Sequence, residues 1–147
     1  MFVNDVMTPH AECTRPTATL KEAAEQMKRL DVGALPVCDN DRLIGMVTDR
    51  DITLRAVAEG RDPRTTRIDE VMSMGVTYCY EDQSVHEAAE MMEREQIRRL
   101  VVLDREKRLA GIISLGDLAV RTRNDELSGE ALERISEPAV SIGGALS

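Results

Sequence analysis

The chain has 147 residues, 42% of them hydrophobic and 31% charged, with a formal net charge of −8; that is enough for one domain or two small halves sharing an interface, and too acidic a surface to favour nucleic acid as a partner. It contains no apolar run long enough to span a membrane, and "MFVNDVMTPH" lacks the basic-then-apolar order of a secretory signal. Cys13, Cys38 and Cys79, with His10 and His86, fit neither a disulfide framework nor a metal-ligand spacing, so the expectation is a cytoplasmic protein without a metal.

In chain order, an extended stretch "AECTRP" at 11–16 precedes Thr19, which stands three residues before Glu22, the spacing of a capping box at a helix start. Leu20, Ala23, Ala24 and Met27 then fall on one helical face. "ALPVC" and "LIGMV" flank the polar "DNDR" and read as two strands of an antiparallel hairpin. A second helix opens after Thr48, near 49–59, and Gly60 is its stop. The same order then returns: "VTYCYE" at 76–81, Ser84 with Glu87, the face Val85, Ala88, Ala89 and Met92, the runs "LVVLD" and "LAGII" around "REKR", and a helix near 115–123.

The recurrence is a duplication. "DVMTP" at 5–9 aligns with "EVMSM" at 70–74, and "GMVTDRDI" at 45–52 with "GIISLGDL" at 111–118. Over residues 6–40 and 42–52, 15 of 46 aligned pairs are identical, and charged positions agree as well as apolar ones. Two copies do not make a solenoid. The expected fold class is α/β (α+β), with two β-α-β-β-α repeats. The first repeat spans 1–65 and the second 66–123. Residues 124–147 form a C-terminal segment in which Leu127, Ala131, Leu132 and Ile135 line one face of a short helix ended by Pro138, followed by a Gly/Ser-rich tail.

With "VMTP", "TLKEAAEQM", "GALPVCD" and "GMVTDRDI" in copy one, and "VMS", "SVHEAAEMM", "IRRLVVLD" and "GIISLGDL" in copy two, the chain resembles a tandem pair of cystathionine β-synthase (CBS) domains, a Bateman module, over about residues 2–122. The nearest in style are small stand-alone bacterial proteins made of little else. The resemblance implies two copies packed about a pseudo-twofold axis, and adenine nucleotides or related adenosyl ligands (AMP, ADP, ATP, NAD or S-adenosylmethionine) held in clefts between them. It also implies that the ligand is regulatory, with no obligatory cofactor, and that two pairs associate as a homodimer.

By that resemblance the repeated phrase assigns Thr48 and Asp51, and Ser114 and Asp117, to ligand binding. A carboxylate beside a helix start can accept hydrogen bonds from a ribose diol, while hydroxyl and N–H groups there can face a phosphate. The same Thr-x-x-Asp spacing also fits plain helix capping. Gly45 and Gly111 fit strands closely approached by a ligand or by another backbone. An acidic protein needs local cations to hold a phosphate. Arg98 and Arg99 stand where copy one has Gly33 and Ala34, and the family's arrangement lends them to the Thr48/Asp51 cleft, with Arg50 a further candidate. The alternative for both arginines is a solvated helix end. Met46, Val37 and Ile112 are candidate walls for adenine, or plain core.

Cys13 and Cys38 lie in extended segments expected to neighbour each other. They are either small buried residues or a candidate redox-responsive disulfide, whereas Cys79, aligned with Thr14, faces the other way from Cys13. No P-loop and no Ser–His–Asp or Cys–His pattern is present. The expectation is a non-catalytic sensor of energy or metabolic state. The rivals are a ligand-free interaction platform and a redox switch through Cys13 and Cys38.

Overall fold

A computed structural model describes residues 1–121 and 134–135. In chain order it contains helix α1 (Val3–Val6), strand β1 (Thr8–Pro9), helix α2 (Leu20–Leu30), strands β2 (Ala34–Asp39) and β3 (Arg42–Thr48), and helix α3 (Asp49–Ile52). Helix α3 runs into a π-helical turn, Thr53–Val57, and a 3-10 turn follows at Ile68–Glu70. Strand β4 (Tyr78–Tyr80), helix α4 (Val85–Glu95), strands β5 (Arg99–Leu103) and β6 (Leu109–Ser114), and helix α5 (Leu115–Arg121) complete it. This is the expected mixed α+β class.

The two long helices begin and end alike because their sequences do. Thr19 Oγ1 accepts the Glu22 N–H at 3.2 Å, and Ser84 Oγ accepts the Glu87 N–H at 3.1 Å. The Glu22 and Glu87 carboxylates do not complete the expected boxes; Glu87 instead accepts from Gln83 Nε2 at 2.8 Å. Both helices stop on a left-handed residue, Asp31 (φ 55°) and Gln96 (φ 54°). The next N–H then reaches back into the last turn, Val32 to the Met27 carbonyl and Ile97 to the Met92 carbonyl, both at 3.0 Å. Leu20, Ala23 and Met27 are buried as expected, and so are Val85, Ala88, Ala89 and Met92. Ala24 is exposed, a correction to the expected face.

The chain divides into two compact units that are offset from the sequence repeat. One comprises His10–Thr77 with Glu106–Leu109; the other comprises Met1–Pro9, Tyr78–Arg105 and the described residues from Ala110 onward. The expected boundary at 65/66 follows the duplication, whereas the units exchange their leading segments. In the first-copy unit, Ile68 N–H donates to the Ala18 carbonyl at 2.9 Å, Asp69 N–H to Pro16 at 3.0 Å, and Leu20 N–H to Thr66 at 3.0 Å. In the second-copy unit the aligned residues repeat this: Val3 to Gln83 at 2.8 Å, Asn4 to Glu81 at 3.0 Å, and Val85 to Met1 at 3.1 Å. The physical reason is that the apolar residues of "DVMTP" and "EVMSM" find their buried faces on the other copy's helix and strands.

The first-copy unit holds the antiparallel hairpin β2–β3, with a register irregularity between Val37 and Cys38. Its core includes Leu20, Leu35, Val37, Val47, Ile68 and Val71. The expected strand at "AECTRP" reduces to one parallel bridge, Thr14 to Val37. The second-copy unit is a four-stranded sheet in the order β1-β6-β5-β4, with β1 antiparallel to β6 and β4 parallel to β5. Its core is built from equivalent positions, Val85, Leu100, Val102, Ile113, Val3 and Val6. Residues Leu127, Ala131 and Leu132 of the expected C-terminal helix lie outside the described residues. Ile135 packs against this core, and Arg134 Nε lies 3.6 Å from Glu93.

Candidate functional site

Strand β3 delivers Thr48 to the start of α3, and β6 delivers Ser114 to the start of α5. At the first phrase, Thr48 N–H donates to Asp51 Oδ2 and Asp51 N–H donates to Thr48 Oγ1, both at 3.0 Å. At the second, Ser114 N–H donates to Asp117 Oδ2 at 2.9 Å and Asp117 N–H donates to Ser114 Oγ at 3.1 Å. The capping reading of the phrase is therefore realised in both copies. It engages one oxygen of each carboxylate and leaves the other as an acceptor.

The surroundings of the two phrases differ. Asp51 Oδ1 lies 3.9 Å from Arg55 Nε, and the Asp51 side chain is 14% exposed. Arg55 also donates from Nη1 to the Val71 carbonyl at 3.0 Å and to Met72 at 3.4 Å, tying the phrase to the exchanged segment. Sequence reasoning missed Arg55; the signal was there, an Asp four residues before an Arg on one helix face. The expected set of free N–H groups at this helix start is absent. Asp49 N–H donates to the Gly33 carbonyl at 2.9 Å, Arg50 N–H to Asp49 Oδ1 at 2.8 Å, and Asp51 N–H to Thr48. A phosphate near this phrase would have to meet side-chain cations.

Arg50, Arg98 and Arg99 are exposed, and none forms an ion pair with a described residue. Arg50 adjoins Asp51 in the first-copy unit. Arg98 and Arg99 open β5 in the second-copy unit, where the Arg98 carbonyl accepts the Leu115 N–H at 2.8 Å. Of the candidate adenine walls, Val37 is core, fully buried, while Met46 and Ile112 are half-buried. A surface depression of about 320 Å3 lined by Glu90, Glu93, Arg94, Gln96 and Arg134 touches none of the phrase residues.

The two glycines serve backbone packing. A Cβ on Gly45 would stand 2.8 Å from the Ser73 carbonyl oxygen, and one on Gly111 would overlap the Thr8 carbonyl oxygen. Met46 and Ser73 exchange two backbone hydrogen bonds at 2.9 Å, and Thr8 pairs with Ile112. Of the alternatives open at these glycines, the approach of another backbone is the one observed.

A CBS-domain family model matches residues 3–57 and 68–122. The chain belongs to the CBS-domain family. This CBS pair is 44% identical over 134 residues to the CBS domain-containing protein YhcV of Bacillus subtilis, covering 91% of this chain and 94% of YhcV. It is 40% identical over 116 residues to Hypoxic response protein 1 of Mycobacterium tuberculosis, covering 78% of this chain and 80% of that protein. A crystal structure of Hypoxic Response Protein I with two coordinated zinc ions superposes with a TM-score of 0.73 at 39% identity, over 81% of this chain and 97% of that one. The CBS pair of protein MJ0100, solved in complex with 5′-methylthioadenosine and S-adenosyl-L-methionine, superposes with a TM-score of 0.69 at 26% identity, over 86% of this chain and 98% of that one. Among the described residues, no helix of this CBS pair is long and apolar enough to cross a membrane.

Proposed function

We propose that this CBS pair is a regulatory module without catalysis of its own, which binds an adenosine-type ligand through the repeated phrase. The observation that carries the reading is the reciprocal Thr48–Asp51 and Ser114–Asp117 geometry, which fixes each carboxylate while leaving one oxygen to accept from a ribose diol. The adenosyl ligands of MJ0100 support the ligand class. Arg50, Arg98 and Arg99 supply the cations that a phosphorylated ligand requires on a chain of net charge −8. The protein acts in the cytoplasm and senses energy or metabolic state through the occupancy of these phrases.

Calorimetric titration of the purified chain with AMP, ADP, ATP, NAD and S-adenosylmethionine tests this. Saturable binding of at least one of them is the expected result. Absence of heat from all five at millimolar ligand would overturn the reading and leave the interaction platform in its place.

A further inference from the structure

Two cysteines that the adenosine reading does not use lie on adjoining segments of the first-copy unit. Cys13 is exposed, in the stretch leading to α2, and Cys38 is 1% exposed near the end of β2. The Thr14–Val37 bridge fixes their neighbours: Thr14 N–H donates to the Pro36 carbonyl and Cys38 N–H to the Thr14 carbonyl, both at 2.9 Å. Thr14 and Val37 are buried on one face of this bridge. Cys13 and Cys38 flank this bridge on the two segments, and the Cys13 thiol is close enough to bear on the ionisation of Cys38. Burial, and after it the Cys13 thiol, push the Cys38 thiol up to about 12. Cys79, aligned with Thr14, is buried in the other unit.

We propose that Cys13 and Cys38 form a covalent modification site, a dithiol that exchanges with low-molecular-weight disulfides and closes into an intramolecular bridge. The exposed Cys13 thiolate attacks one sulfur of the small disulfide. The sulfur–sulfur bond breaks, one small thiolate leaves and takes up a proton, and a mixed disulfide remains on Cys13. Cys38 then gives its proton to solvent and attacks the Cys13 sulfur, expelling the second small thiolate. The sum is one protein dithiol and one small disulfide giving one protein disulfide and two small thiols, with the two electrons passing to the incoming disulfide. Burial keeps Cys38 from attacking the small disulfide first, and its high pKa makes the closing step faster as pH rises. The bridge fastens the 13–15 stretch to β2 and encloses α2 in a covalent loop, so the oxidised form should melt at a higher temperature.

The test treats the reduced full chain with oxidised glutathione, followed by denaturing alkylation, intact mass and peptide mapping. Wild type should lose about two mass units, alkylate only Cys79, and yield a cross-linked Cys13–Cys38 peptide. Cys38→Ser should stop at a stable glutathione adduct on Cys13. Cys13→Ser, at an exposed position, should form neither bridge nor adduct, so the outcome does not depend on Cys38→Ser folding. Three alkylated thiols in wild type, or a wild-type adduct on Cys13 that persists beside a free Cys38, would overturn the proposal.

Discussion

The carbonyl oxygen of Thr8 occupies the space that a Cβ on Gly111 would need, and Ser73 stands in the same relation to Gly45. In both units the obstructing atom is backbone, held in a paired segment, and cannot swing aside as a side chain would. Gly111→Ala and Gly45→Ala should therefore each destabilise the fold by about 1–3 kcal/mol. Gly116→Ala is the control, because its Cβ would meet only Ser114 Oγ at 3.6 Å, and it should be neutral or mildly stabilising in α5. Urea unfolding of the three variants checks the contrast.

Asp51 has two tasks that substitution can separate. Asp51→Ala removes the acceptor of the Thr48 N–H, one half of the capping box, and should cost up to about 1 kcal/mol of stability. Asp51→Asn retains a capping oxygen and should keep stability close to wild type. Both should weaken adenosine-ligand binding by about tenfold or more, the size of a lost charge-assisted acceptor. Equal calorimetric affinity for wild type and both variants would leave Asp51 with capping alone. Asp117→Ala and Asp117→Asn should behave in the same way for a second binding event.

The arginines should read phosphate. Arg98→Ala with Arg99→Ala should weaken AMP and ADP far more than adenosine, and the difference should shrink as salt screens the charges. Titration of the three ligands at low and high ionic strength measures it. A uniform loss across all three would mean that the arginines do not read phosphate.

Burial raises the Cys79 thiol from 9.0 to about 12. A thiol ionising later in the folded than in the unfolded chain supports folding below pH 9, and that support is lost as pH climbs towards the folded value. Stability should fall from near pH 9 upward, and Cys79→Ala should lessen that fall, with Cys38 accounting for the remainder, while costing some packing at lower pH. Urea midpoints on either side of pH 9 decide it.

Leu54 and Val120 occupy aligned positions on the second helices and are 48% and 77% exposed, with Val57 beside Leu54 at 64%. Repeating an exposed aliphatic residue in both copies fits a face covered by a second copy of the chain. Light scattering at micromolar protein should give a dimer mass, and Leu54→Asp with Val120→Asp should give a monomer. A monomeric wild type would sink the homodimer.

The duplication made most of the fold legible. Thr19 and Ser84 mark helix starts, the hairpins follow from apolar runs around polar turns, and Gly60 (φ 73°) stops its helix as its type suggests. The exchange of leading segments was not legible, because apolar spacing in "DVMTP" marks it for burial without saying which copy buries it. The site was half legible. Thr48 with Asp51 and Ser114 with Asp117 are each brought together. The free N–H groups expected beside Asp51 were not found, because the Gly33 carbonyl and the Asp49 side chain take them, and contacts of that kind leave no mark in the order of residues.

The exchanged segments also bear on the order in which a growing chain can settle. Residues 10–77 contain both halves of the Ile68–Ala18 and Ser73–Met46 pairings, so the greater part of the first-copy unit can close while the ribosome is still adding the second copy. Val3 waits for Gln83, and Thr8 waits for Ile112, so this segment is seated only after much of the second copy has been made.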